Sequence, residues 1–162
     1  MSARERTFSW EDPLPVAGRG AELSGLEAMR QVASGELPPP PIAMLFEMSI
    51  VEVEDGRCVF ALDPAEWMFN PIGSVHGGVA ATLLDSCMGC AVHSTLPAGV
   101  GYTTTDLQVR YLRAMTAATG RVLAEGTVVH RGRRQATAEG RIYVEESGKL
   151  IAHATTGCIV LS

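Results

Sequence analysis

The chain has 162 residues, 46% apolar and 19% charged, which is enough to bury one core and too apolar for a disordered chain. Its net charge of −5 argues against nucleic acid as the main partner. No apolar run nears the roughly 20 residues of a membrane span, and the start, MSARERTFSW, lacks the apolar core of a secretory signal, so a cytoplasmic protein with no membrane partner is expected.

Residues 1–20 carry Pro13, Pro15, Gly18 and Gly20 and no apolar period. They read as an arm, loosely ordered or draped on a partner. Residues 21–34 suit a short amphipathic helix, with Leu23, Leu26, Met29 and Val32 on one face and Gly35 placed to end it. The proline run in LPPPPIAMLF is read as unable to be helix or central strand, and so as a stiff connector or the wall of a pocket. A strand is predicted over 45–53, a turn at Asp55-Gly56, and a returning strand over 57–62. Trp67 and Phe69 are expected to pack under the connector that follows.

The stretch from Asn70 to Leu96 is the centre of the chain. Two apolar columns run along it at a spacing of four: Val79, Leu83, Cys87, Ala91, and Ala80, Leu84, Met88, Val92. Together they make one broad apolar face on a long helix. Thr82, Asp85, Ser86, Gly89 and His93 form a narrower polar stripe, and Pro97 marks the stop. Four strands are predicted after it, over 101–114, 121–130, 135–146 and 149–161. Arg131-Gly132-Arg133-Arg134 and Glu146-Ser147-Gly148 read as turns. The plan is an α+β domain: a hairpin, one long helix, then a four-strand meander that curls around that helix.

The helix entrance, His76-Gly77-Gly78, presents N–H groups that lack helical partners and carry the positive end of the helix dipole. It suits a carbonyl oxygen or a developing oxyanion, or it is simply a glycine-lined packing point. Asp85 is a carboxylate between two apolar columns, where burial is costly unless it is paired. It is either a polar-edge residue or a general base or nucleophile. Gly77 lies about 12 Å from Asp85 along the axis at 1.5 Å per residue. If both act on one carbonyl group, they come from two chains.

Cys87 and Cys90 form a C-x-x-C in mid-helix and read, with Cys58 and Cys158, as core packing. His93, His130 and His153 share no ligand spacing, so no metal site is expected. Arg131, Arg133 and Arg134, with Arg110 and Arg113 on the strand before, form a basic patch in an acidic chain. The patch is a candidate phosphate site or a solvated turn.

Taken together, Asn70-Pro71, His76-Gly77-Gly78, Asp85, the Thr103–Leu107 string TTTDL, Tyr111-Leu112-Arg113 and the His130–Arg134 string HRGRR resemble the hotdog-fold acyl-CoA thioesterases. The branch is the PaaI-like one, of the phenylacetate-degradation type, related to one class of 4-hydroxybenzoyl-CoA thioesterase. The resemblance covers 37–162 as a hotdog thioesterase domain and leaves 1–36, the arm and short helix, outside it. It implies an antiparallel sheet wrapped around one central helix, and a homodimer that pairs into a homotetramer.

Carried over by resemblance, the Gly77 N–H polarises a thioester carbonyl, and Asp85 of the facing subunit activates water or attacks the carbonyl itself. Asn70 hydrogen-bonds near the same centre. His76 fixes the entrance, and Thr104, with Thr103 as its rival, orients water. Gly78 and Met88 contact the substrate, whose acyl pocket is walled by Met68, Phe69, Met88, Val92 and the Pro38–Pro41 run. Arg131, Arg133 and Arg134 hold the phosphates of coenzyme A, which enters as part of the substrate; no separate cofactor is implied. Some relatives carry a hydroxyl residue four positions after the acid. This chain has Gly89 there, which would leave more room for the acyl tail. The reading that follows is hydrolysis of an aryl or medium-chain acyl-CoA. Its rivals are a non-catalytic acyl-CoA-binding protein and an enoyl-CoA hydratase or dehydratase.

Overall fold

The computed structural model describes residues 2–161. Three short helices open the chain: α1 (Pro13–Ala21), α2 (Gly25–Ser34) and α3 (Pro41–Phe46). The hairpin β1 (Ser49–Glu54) and β2 (Arg57–Leu62) leads through a connector to the long helix α4 (Gly77–Ser94). Then come β3 (Gly101–Tyr111), β4 (Val122–Arg131), β5 (Gln135–Val144) and β6 (Leu150–Leu161). The six strands form one antiparallel sheet in the order β1-β2-β4-β5-β6-β3.

All eight residues of the two apolar columns of α4 are buried against this sheet. Burying each Leu in this way stabilises the fold by roughly 1.5–3 kcal/mol. The helix lies close to the sheet because Gly126 and Gly140 face each other across β4 and β5. A Cβ at Gly126 would fall on the Cys87 carbonyl, and one at Gly140 would stand 2.8 Å from Met88 Cγ. β5 alternates strictly between exposed and covered over most of its length, as a sheet with one face on a helix must.

Four expectations are corrected. The meander holds only for β4, β5 and β6, because β3 lies at the far edge, hydrogen-bonded to β6. Residues 112–121 separate β3 from β4 and are too long for a tight hairpin. The strand predicted from Leu45 begins at Ser49. Pro41 stands at the first position of α3, where a missing N–H costs nothing, so the proline run starts a helix. In the connector Met68 is the fully buried residue; Phe69 packs half-buried against the core as expected, while Trp67 keeps 37% of its surface exposed and stacks on Phe46.

The first residues are more structured than their composition suggested. Asp12 caps α1 by accepting from the Leu14 N–H, with Pro13 as its first residue. The arm before it is draped on its own chain. The Arg6 guanidinium lies 3.6 Å from the Trp67 ring centroid and pairs with Glu47 at 2.9 Å. Within α2, Ser24 caps the start and Gly35 ends the helix in the left-handed conformation at φ 83°. The start of α2 docks on the end of α4 through the Gly25 N–H, which donates to the Leu96 carbonyl at 2.9 Å. A Cβ at Gly25 would collide with the His93 carbonyl. None of the helices among the described residues is long and apolar enough to cross a membrane.

Candidate active site on the central helix

The loop 70–76 delivers the entrance of α4. Asn70 Oδ1 accepts from the Ile72 and Ser74 N–H groups, and its Nδ2 donates to Ser74 Oγ at 3.0 Å. Its amide is therefore engaged in closing its own loop. His76 is the N-cap of α4, and its Nδ1 accepts from the Gly78 N–H at 2.8 Å. The Gly77 N–H has no acceptor among the described residues. Tyr111, from the end of β3, donates its hydroxyl to the Gly77 carbonyl at 3.0 Å and packs its ring over that glycine. A side chain at 77 would press on this ring. The entrance thus offers one backbone donor at the positive end of an 18-residue helix.

Two turns further along, Asp85 is half-buried. Thr104 of β3 donates its hydroxyl to Asp85 Oδ1 at 2.9 Å, while Thr103 points outward. One oxygen of the carboxylate is therefore fixed and the other, Oδ2, is left for chemistry. Asp85 and Ser86 border a cavity of about 460 Å³ whose other walls are mostly apolar. Met29 and Val32 of α2, Pro39 and Pro40, and Ile42 and Met44 of α3 are among them.

Tyr102, two residues before Thr104 on the same face of β3, lines this cavity too. Its ring occupies the space above Gly89, where a Cβ would stand 3.0 Å from Cζ and collide with the hydroxyl. The room expected at Gly89 is therefore filled, and a hydroxyl is brought there by a neighbouring strand. Burial, with Cys90 and Asp85 nearby, pushes the Tyr102 phenol well above its ordinary range, so it stays protonated.

Met88 and Val92, expected as pocket walls, are instead fully buried in the core between α4 and the sheet. They belong to the apolar columns that pack on the sheet, Met88 against Gly140 of β5. Met68 and Phe69 line a shallow depression beside His76 and Gly78. Arg131, Arg133 and Arg134 are exposed at the turn between β4 and β5, with no carboxylate in ion-pair range among the described residues. Arg131 is level with Thr104 across β5 and β6, about 14 Å away at 4.7–4.9 Å per strand. Arg110 is aligned with His153, roughly 20 Å along β3 from that level, so the expected patch of five arginines is split in two.

The thiols are not chemical groups of this site. Cys58, Cys87 and Cys158 are buried. A contact with Cys90 together with burial pushes the Cys58 thiol up, and burial pushes Cys87 up, which makes both poor nucleophiles. Among the described residues no three of His, Cys, Asp and Glu converge as metal ligands.

A sequence profile described as the thioesterase superfamily matches residues 72–151, the stretch from the helix entrance to the start of β6. Over that stretch, just under half of its length, the chain resembles the thioesterase superfamily. It is 46% identical over 97 residues to a candidate esterase of Halobacterium salinarum, a match that covers 57% of this chain and 62% of that protein's length. Among solved structures it resembles a candidate thioesterase from Ralstonia eutropha related to phenylacetic acid degradation. That pair is 28% identical with a TM-score of 0.72, covering 81% of this chain and 98% of the other. The PaaI protein of the Escherichia coli phenylacetic acid degradation operon shares the fold at a TM-score of 0.74 and 21% identity, covering 86% of this chain and 97% of that one. The six-stranded sheet around one helix is thus the α+β hotdog fold of these proteins.

Proposed function

We propose that the chain is an acyl-CoA thioesterase that works as a homodimer pairing into a homotetramer in the cytoplasm. The observation that carries this reading is the Asp85 carboxylate, held at one oxygen by Thr104 and set beside an apolar cavity in a chain that resembles the thioesterase superfamily. Asp85 Oδ2 takes a proton from water as the water oxygen bonds to the thioester carbon. Negative charge collects on the carbonyl oxygen, where the Gly77 N–H of the facing subunit receives it. The C–S bond then breaks, and the thiolate leaves with a proton, giving free acid and coenzyme A. The two groups lie about 12 Å apart within one chain, which is why two subunits are required. The arginine turn, with no carboxylate partner of its own, is suited to the phosphates of coenzyme A.

The test is thiol release from a panel of acyl-CoAs with Asp85→Asn in parallel. A positioned base contributes on the order of 10²–10⁴ in rate, so release should fall by at least that lower figure with folding intact. Thr104→Val should lower kcat more than it raises KM, because it frees the carboxylate without touching the acyl group. Single turnover in labelled water separates the two roles of the acid. Label recovered in Asp85 means direct attack, and label only in the product acid means base catalysis. Thiol release that is the same in Asp85→Asn as in the native chain would show that the chemistry lies elsewhere.

A further inference from the structure

The family match begins at residue 72, yet the cavity that Asp85 borders is walled largely by residues before it. α2, the proline run and α3 are laid across the outer side of α4, held by the Gly25 contact at one end and by Arg6, Glu47 and Trp67 at the other. We propose that this N-terminal cover is the acyl-chain chamber of the enzyme, and that it selects a linear saturated chain of on the order of ten carbons. This rests on the thioesterase reading.

Three features define the occupant. Three of the chamber's polar groups, Asp85, Ser86 and Tyr102, are gathered on α4 and β3, where the thioester would lie; Ser49 at the start of β1 and Glu47 are the others. The walls from α2, the proline run and α3 carry no cation, and their one carboxylate, Glu47, is occupied by Arg6. Apart from the single hydroxyl of Ser49, nothing in the N-terminal walls would receive a charged or hydroxylated far end of an acyl group. The volume sets the length. At about 30 Å³ of liquid volume for a group the size of a water, 460 Å³ holds on the order of ten to fifteen methylenes. A single aryl ring would leave much of it empty, and unfilled apolar space forfeits contacts.

A second apolar cavity of about 420 Å³ lies behind the first, between α1, α2 and the end of α4. Met29, Val32, Pro39 and Pro40 line both, so they form the partition between them. The partition gives substitutions of opposite sign. Met29→Ala removes the longest side chain of the partition and joins the chambers, which should move the preferred acyl chain to greater length. Val32→Trp fills the first chamber from α2 and should move it to shorter length.

The experiment is thiol release from acetyl- through hexadecanoyl-CoA for the native chain and both variants, with circular dichroism to establish folding. In Val32→Trp the ratio of decanoyl-CoA to acetyl-CoA turnover should fall at least about tenfold, the scale on which apolar pockets discriminate size. In Met29→Ala the ratio of hexadecanoyl-CoA to decanoyl-CoA turnover should rise. Chain-length profiles that coincide in all three folded proteins would overturn the proposal. Should the native chain release no thiol from any substrate, the thioesterase reading fails, and calorimetry with decanoyl-CoA then judges the chamber alone. Binding weakened by Val32→Trp but kept in Asp85→Asn upholds it, and equal binding in all three sinks it.

Discussion

The two sides of α4 are built to different standards. Toward the sheet, Leu83, Leu84, Cys87, Met88, Ala91 and Val92 are fully buried, and paired glycines on β4 and β5 bring the strands against the helix backbone. Away from the sheet, Asp85, Ser86 and Cys90 border one cavity, and His93 borders another. The elements on that side are short helices with little buried surface of their own: α1 buries no residue, and α3 buries only Ala43. Close packing fixes the position of Asp85 from behind, and loose packing leaves it a space to work in. Stability and chemistry are thus carried by adjoining faces of one helix.

The largest test of that division is Leu84→Ala against Met29→Ala. Leu84 is fully buried on the tight side, and its truncation should cost about 2–5 kcal/mol. Met29 borders cavities on the loose side, so less packing is lost, and half that cost or less is expected. Urea midpoints of the two variants decide it. Equal costs would mean that the N-terminal cover is packed as core and that the cavities are not the weak side.

Next in size are the glycines that permit close approach. Gly126→Ala drives a methyl into the Cys87 carbonyl, which cannot turn aside, and should cost about 1–3 kcal/mol in the global transition. Gly140→Ala should cost less, because its neighbour is the flexible Met88 side chain. Gly25→Ala meets the His93 carbonyl on the other side of the helix. Its effect should be local: hydrogen-exchange protection lost over 25–34, with the sheet amides left protected. A loss of protection spread evenly over sheet and cover would erase the distinction between the two sides.

What the sequence revealed follows the same division. The columns of α4, the turn at Asp55-Gly56 and the Gly35 cap are local patterns, and period or turn chemistry is enough to find them. Asp85 stood out as the charged residue between apolar columns. The edge position of β3 was not legible, because the alternation of Leu107, Val109 and Tyr111 is the same whichever strand lies alongside. Nor was the filling of Gly89 by Tyr102, which depends on β3 crossing the outer side of the helix. Met88 was placed in the pocket because its spacing from Asp85 was weighed without the side of the helix it faces. The proline run was read as a barrier to helix, whereas Pro41 at a first helical position is a start signal.

The smallest effect is a pH dependence from the loose side. His93 Nδ1 is buried with no hydrogen-bond partner among the described residues, and burial holds the imidazole below its ordinary value of 6.5. Its ring stands 5.7 Å from that of Tyr102, in apolar surroundings that favour the neutral form. At a pH above the unfolded value both states are neutral, and the full stability is present. As the pH falls below about 6.5 the unfolded chain takes up a proton that the folded chain refuses, so stability is lost until the lower folded value is passed. His93→Phe removes that term. Its urea midpoint should therefore fall less than that of the native chain between about pH 7.5 and pH 5.5, with the other three histidines common to both proteins. Equal falls would mean that the ring gains its proton in place, which requires water to reach it. The cavity behind the partition would then be a wet space, and the joined chamber of Met29→Ala would offer a long acyl chain no apolar refuge.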